Sequence, residues 1–60
     1  MTIQDTIRAL HQNARQQTSV AFNASLTDAE RRSLLRRLRK EARALERTKM
    51  ALKTEEERTR

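Results

Sequence analysis

Sixty residues without cysteine, glycine or proline exclude disulfide staples, thiolate metal sites and thiol redox chemistry, and leave room for one domain at most. Only thirteen side chains larger than alanine are apolar, with Phe22 the single aromatic; at about 25 cal/mol per Å² of buried apolar area, so thin a core barely offsets chain entropy, and self-association or docking on a partner is the expected remedy. The net charge of +6 is unevenly placed, with +1 over residues 1–26, +6 over 27–54 and −1 over 55–60, and eleven of the fourteen cations are arginine, which favours forked contacts to phosphate or carboxylate.

A first helix is predicted over about residues 3–22. Thr2 is a good N-cap, and Asp5 three positions on completes a capping-box-like pair. Ile3, Ile7, Leu10, Ala14, Gln17, Ala21 and Ala24 follow alternating steps of four and three, a heptad seam that weakens along its length. In that register Val20 points away, Phe22 sits at the edge, and His11 lies on the shoulder of the apolar stripe as an ordinary boundary histidine. Asn23 is suited to close the helix in the left-handed conformation. A turn follows over about residues 23–27.

Thr27-Asp28-Ala29-Glu30 reads as a second capping box, with an acid at the first helical position and Leu26 placed to fold back onto the first turn. The second helix is expected from about 28 to 57 without a breaker. Its seam is Leu35, Leu38, Ala42, Leu45, Lys49 and Leu52, broadened by Leu34. Lys49 either selects a register or snorkels to the edge. The short polar connection favours an all-α, antiparallel two-helix hairpin with a longer second helix. Such a hairpin dimerises into a helical bundle or docks on a partner through Ile3, Ile7, Leu10, Leu35, Leu38, Leu45 and Leu52. About thirty residues against twenty leave an overhang, roughly Thr48 to Arg60, expected to fray unless another molecule holds it.

Opposite the leucines, Arg32, Arg36, Arg39, Lys40, Arg43 and Arg47 fall in one band at about 100° per residue. Like charges three or four positions apart repel, and only Glu41 and Glu46 intrude, both nearer the apolar edge. The five arginines span about 22 Å along the axis, comparable with several phosphates of a nucleic-acid backbone. A phosphate-bearing polyanion, RNA or DNA, is the partner this pattern favours. The runner-up is an acidic surface on a protein, with the chain acting as a small inhibitor or adaptor; the plain reading is a solvated face. Binding would be electrostatic, since no aromatic residue stands on this face to stack on bases, and no zinc-finger, RNP or basic-zipper motif specifies a sequence.

Catalysis is not expected. His11 is the one histidine, and Ser19, Ser25 and Ser33 stand in no nucleophile motif. Asp28 and Glu30 are capping groups, the Glu55-Glu56-Glu57 run is a solvated one, and neither a metal site nor a cofactor is called for. Asp5 and Arg8 interrupt what a signal peptide would need, no membrane span is present, and a membrane-surface role lacks its anchoring aromatics; the expected compartment is the cytoplasm or nucleoid. Ile7-Arg8-Ala9-Leu10 with Ala14-Arg15, and Glu56-Glu57-Arg58-Thr59-Arg60, resemble at scattered positions the oligomerisation segment and a later helix of H-NS-type nucleoid proteins, although the helix expected between them is acidic there and basic here. In architecture alone, the basic hairpin is similar to the two-helix protein of the large ribosomal subunit and to plasmid copy-control hairpins. No residue role follows from these likenesses.

Overall fold

The computed structural model describes residues 1–58; Thr59 and Arg60, the end of the anticipated overhang, lie outside the described residues. Two helices are present, α1 (Ile3–Ala21) and α2 (Asp28–Arg58), packed as a hairpin in a rod 49 × 15 × 12 Å. Both starts are fixed by reciprocal capping. The Asp5 amide donates to Thr2 Oγ1 and the Thr2 amide to an Asp5 carboxylate oxygen, both at 3.1 Å. The Glu30 amide donates to Thr27 Oγ1 at 3.1 Å, and the Thr27 amide to Glu30 Oε1 at 3.2 Å. Each box satisfies amides that the first helical turn otherwise orphans.

The end of α1 differs from expectation. None of the described residues adopts a positive φ, so Asn23 does not close the helix in the left-handed region. Phe22 caps it instead, at φ −102° and ψ 6°, its amide donating to the Thr18 carbonyl at 3.1 Å while the Asn23 amide donates to the Val20 carbonyl at 3.3 Å. The Asn23 side chain has another task, accepting the Ser25 amide at 2.9 Å and tightening the turn.

Arg31 then straps the turn to α2. Its guanidinium pairs with Asp28 at 2.9 Å and donates to the carbonyls of Asn23 (3.0 Å) and Leu26 (3.4 Å). Its Nε is buried without a partner. Leu26 is half-buried beneath this strap, as a residue folded back on the first turn should be.

The seam of α1 keeps Ile3, Leu10 and Gln17 of the expected spacing, with Ile7 half-buried, but passes through Thr6, Asn13 and Val20 where Ala14 and Ala21 were expected. Ile3, Thr6, Leu10, Asn13, Gln17 and Val20 face α2, while Ala14, Ala21 and Ala24 are exposed and Ala24 lies outside the helix. Thr6 is fully buried and Asn13 nearly so. Burial of polar groups is tolerable only when they are hydrogen-bonded, and both are. Thr6 Oγ1 donates to the Thr2 carbonyl at 2.9 Å, leaving its methyl group for the interface. Asn13 Nδ2 donates across the interface to the Leu38 carbonyl at 2.9 Å, and Gln17 Nε2 donates to Asn13 Oδ1 at 2.6 Å.

On α2 the expected seam holds. Leu38 is buried, and Leu34, Leu35, Ala42, Leu45, Lys49 and Leu52 are half-buried. The free overhang begins later than Thr48. From the Asn13–Leu38 bond toward the open end, α1 has ten residues and α2 twenty, yet Thr48, Lys49 and Leu52 are half-buried and α2 is helical to Arg58. Helical side chains lean toward their own N-terminus. At the open end of an antiparallel pair, residues of α1 therefore lean outward and those of α2 lean back, so that Thr2, Ile3 and Gln4 border one hollow with Leu52, Glu55 and Glu56.

Two consequences can be measured. Asn13→Asp at pH 7 removes the donor to Leu38 and buries a carboxylate against a carbonyl, and is expected to cost about 2 kcal/mol or more. Asn13→Leu removes donor and acceptor together and should lower the thermal midpoint distinctly less. Equal losses in circular-dichroism melts would show the amide donor to be immaterial. Separately, the Thr2 backbone and side-chain hydrogen bonds hold the Asp5 carboxyl below its ordinary 3.8. The unfolded chain thus takes up that proton first, so this contribution to stability is complete above the ordinary value and is lost as pH falls through the depressed one. Melting temperature should drop across that acidic window, and Asp5→Asn should flatten that part of the profile.

Candidate functional site

The cationic surface is built on α2 by the same periodicity that builds the seam. With Leu38 turned inward, a step of 100° per residue sets Arg32, Arg36, Arg39, Lys40, Arg43 and Arg47 on the side away from α1, and all six are exposed. Arg32, Arg36, Arg39, Lys40 and Arg43 border one open groove, with Leu35 as its apolar edge; Arg47 continues the row along the axis. None of the six forms an ion pair with a described carboxylate: the pair observed among the described residues is Arg31–Asp28, off this face. Glu41 and Glu46, the two acids nearest the row, leave it uncompensated. An exposed row of unpaired guanidinium groups offers forked donors without having to break an internal contact first.

Two features beside the row were not singled out by the spacing of charges. Met50 is 59% exposed and, at 100° per residue, extends the row on the same side of α2. On the outer side of α1, Arg8, His11, Gln12 and Arg15 border a smaller open groove. His11 is exposed there rather than on the shoulder of the seam, because the seam passes through Thr6 and Asn13. Phe22, 85% exposed, stands at the turn and not on the arginine face.

The expected association face comprises Ile3, Ile7, Leu10, Leu35, Leu38, Leu45 and Leu52. Leu38 is consumed by the hairpin itself, while Ile3, Ile7, Leu10, Leu35, Leu45 and Leu52 remain half-exposed along the helix junction. Among the described residues no group of three or more His, Asp or Glu is placed to hold a metal ion, and no helix is long and apolar enough to cross a membrane.

Comparison with known proteins adds no assignment: no protein-family model matches the chain, and neither a curated protein nor a solved structure gives a significant match. The scattered likeness to nucleoid proteins accordingly lends no role to any residue.

An unpaired row of like charges has a salt signature of its own. Raising ionic strength from about 0.02 M to about 0.3 M should raise the melting temperature of the free chain, because screening weakens the repulsion along α2. A fall in melting temperature over that range would mean that favourable ion pairs outweigh the repulsion.

Proposed function

We propose that the chain is a small, non-enzymatic binding protein that holds RNA or DNA through the phosphate backbone, using Arg32, Arg36, Arg39, Lys40, Arg43 and Arg47 of α2. The observation that carries the reading is the unpaired, exposed state of all six cations along about 22 Å of continuous helix. Phosphates lie about 3.4 Å apart along each strand of a duplex, so a row of this length meets several of them without bending. Five of the six are arginine, whose planar fork matches phosphate oxygens two at a time.

The contact is to backbone and not to base edges. No aromatic side chain stands on the row, so base stacking has no platform there. The work done is occupancy: holding, bridging or shielding a strand, with no bond made or broken. It would be carried out in the cytoplasm or nucleoid, where such polyanions are found.

Titration against a duplex or single-stranded oligonucleotide tests this. Affinity should fall with salt on a double-logarithmic slope of about −5 for a duplex if all six cations each neutralise a phosphate. Heparin should displace the oligonucleotide. Arg36→Glu with Arg43→Glu should abolish binding and leave helicity intact. Normal binding by that double variant would reduce the row to a solvated face. Capture from lysate that survives nuclease and yields one acidic protein would instead favour an inhibitor or adaptor that docks on a protein partner.

A further inference from the structure

The hairpin closes too little of its own apolar surface to be a finished unit. Leu38 is the one apolar residue buried among the described residues. The chain exposes 5258 Å², whereas a compact monomer of its 7.1 kDa exposes about 4,100 Å². The excess, roughly 1,200 Å², is larger than the area, about 800 Å², that one partner surrenders to an interface of ordinary size, so the chain has surface enough for one.

Two flanks run along the junction of α1 and α2, one on each side of the Asn13–Leu38 bond. The first is polar, with Gln16, Arg37 and Glu41 bordering the hollow beside Val20 and Leu34. Helical geometry places Ile7, Leu10 and Ala14 of α1 on the opposite flank together with Leu35 and Ala42 of α2. The centre of that strip is aliphatic, with Gln17 beside it on α1 and Arg39 and Glu46 at its outer edge on α2. Ala14 and Ala42 carry nothing beyond Cβ, which allows a facing helix to approach closely.

We propose that this second flank seats another copy of the same chain, giving a four-helix bundle of two hairpins related by a two-fold axis. Charge decides between the two ways of applying that axis. An axis across the rod would stack one α2 on the other and set two strongly basic helices side by side. An axis along the rod packs each α1 against the other copy's α2. Residues 1–26 carry only +1 and residues 27–54 carry +6, so the second arrangement puts the weakly charged helix between the strongly charged ones. Neighbouring helices run antiparallel throughout. The two arginine rows then emerge on opposite outer faces.

This geometry deepens the proposed function, and only its last consequence rests on that function. A dimer with rows facing apart holds two strands at once, where a lone hairpin holds one.

Sedimentation equilibrium of the full chain at about 100 μM tests the assembly without any ligand. The expected mass is twice that of the chain. Ala14 is exposed in the hairpin, so Ala14→Glu leaves the helical pair itself uncrowded and should bring the mass down to that of one chain. Loss of helicity along with that halving supports the proposal equally, since the hairpin then depends on its copy. Gln16→Glu, on the polar flank, should remain dimeric. A parent chain that is monomeric and fully helical overturns the proposal, as does a dimer indifferent to Ala14→Glu. Light scattering with long duplex DNA then reads bridging: the parent should cross-link strands, and Ala14→Glu should bind them without cross-linking. Absence of DNA binding in both would defeat the polyanion reading and leave the sedimentation result standing.

Discussion

A single amide ties this molecule's two halves in register. Asn13 Nδ2 reaches 2.9 Å across the interface to the Leu38 carbonyl, and Gln17 fixes the other end of the same amide. Leucine seams alone specify register poorly, because sliding one helix past the other replaces one aliphatic contact by another of similar worth. A buried amide is different: misaligned, it loses its partner and incurs the full desolvation cost. Its contribution is therefore to uniqueness more than to energy, the best-attested use of a polar residue in a helical seam. Thr6 shares the interface without constraining it, since its hydroxyl is satisfied within α1 by the Thr2 carbonyl.

Once Leu38 is turned inward, the outward direction of α2 follows. The helix continues unbroken from Asp28 to Arg58, so one fixed residue orients all of them. Arg31 and Arg32 show how sharply this sorts like residues. They are adjacent in sequence and 100° apart on the helix. Arg31 swings over the turn, where the carbonyls of Asn23 and Leu26 and the Asp28 carboxylate hold it. Arg32 faces water with the rest of the row. One cation is spent on shape and its neighbour is left available for a partner.

Local chemistry was legible in the sequence, and so was the seam of α2. Both capping boxes involve side chains within three residues of the amides they serve, and leucine spacing in α2 matches the face that packs. The seam of α1 was legible only in part, at Ile3, Ile7, Leu10 and Gln17. Following apolar residues leads through Ile7, Ala14 and Ala21, whereas the buried positions are Thr6 and Asn13. Those two look like surface residues until their partners are known, and one partner is a backbone carbonyl twenty-five residues away. The same shift moves His11 outward and brings Val20 inward. Arg31 was overlooked for a related reason: its position on the apolar side of α2 marks it as an odd cation, but only the folded turn supplies the carbonyls it binds. The exposure of the arginine row was legible, because periodicity and charge suffice to place an exposed face.

Thin packing and concentrated charge belong to one argument. Arg32, Arg36, Arg39, Lys40, Arg43 and Arg47 make six like-charged pairs at spacings of three or four, which together cost about 1–3 kcal/mol at a few tenths for each pair. A hairpin with one buried leucine has a stability of the same order, a few kcal/mol at most. The row is thus a substantial fraction of what the fold must withstand, and no described carboxylate forms an ion pair with it. Anything that neutralises the row must stabilise the hairpin, and by linkage anything that stabilises the hairpin must favour the neutralising partner. Folding and the proposed anion binding would therefore reinforce one another. The stiff, one-sided charge that makes α2 costly to hold alone is the same feature on which the proposed contact with phosphates depends.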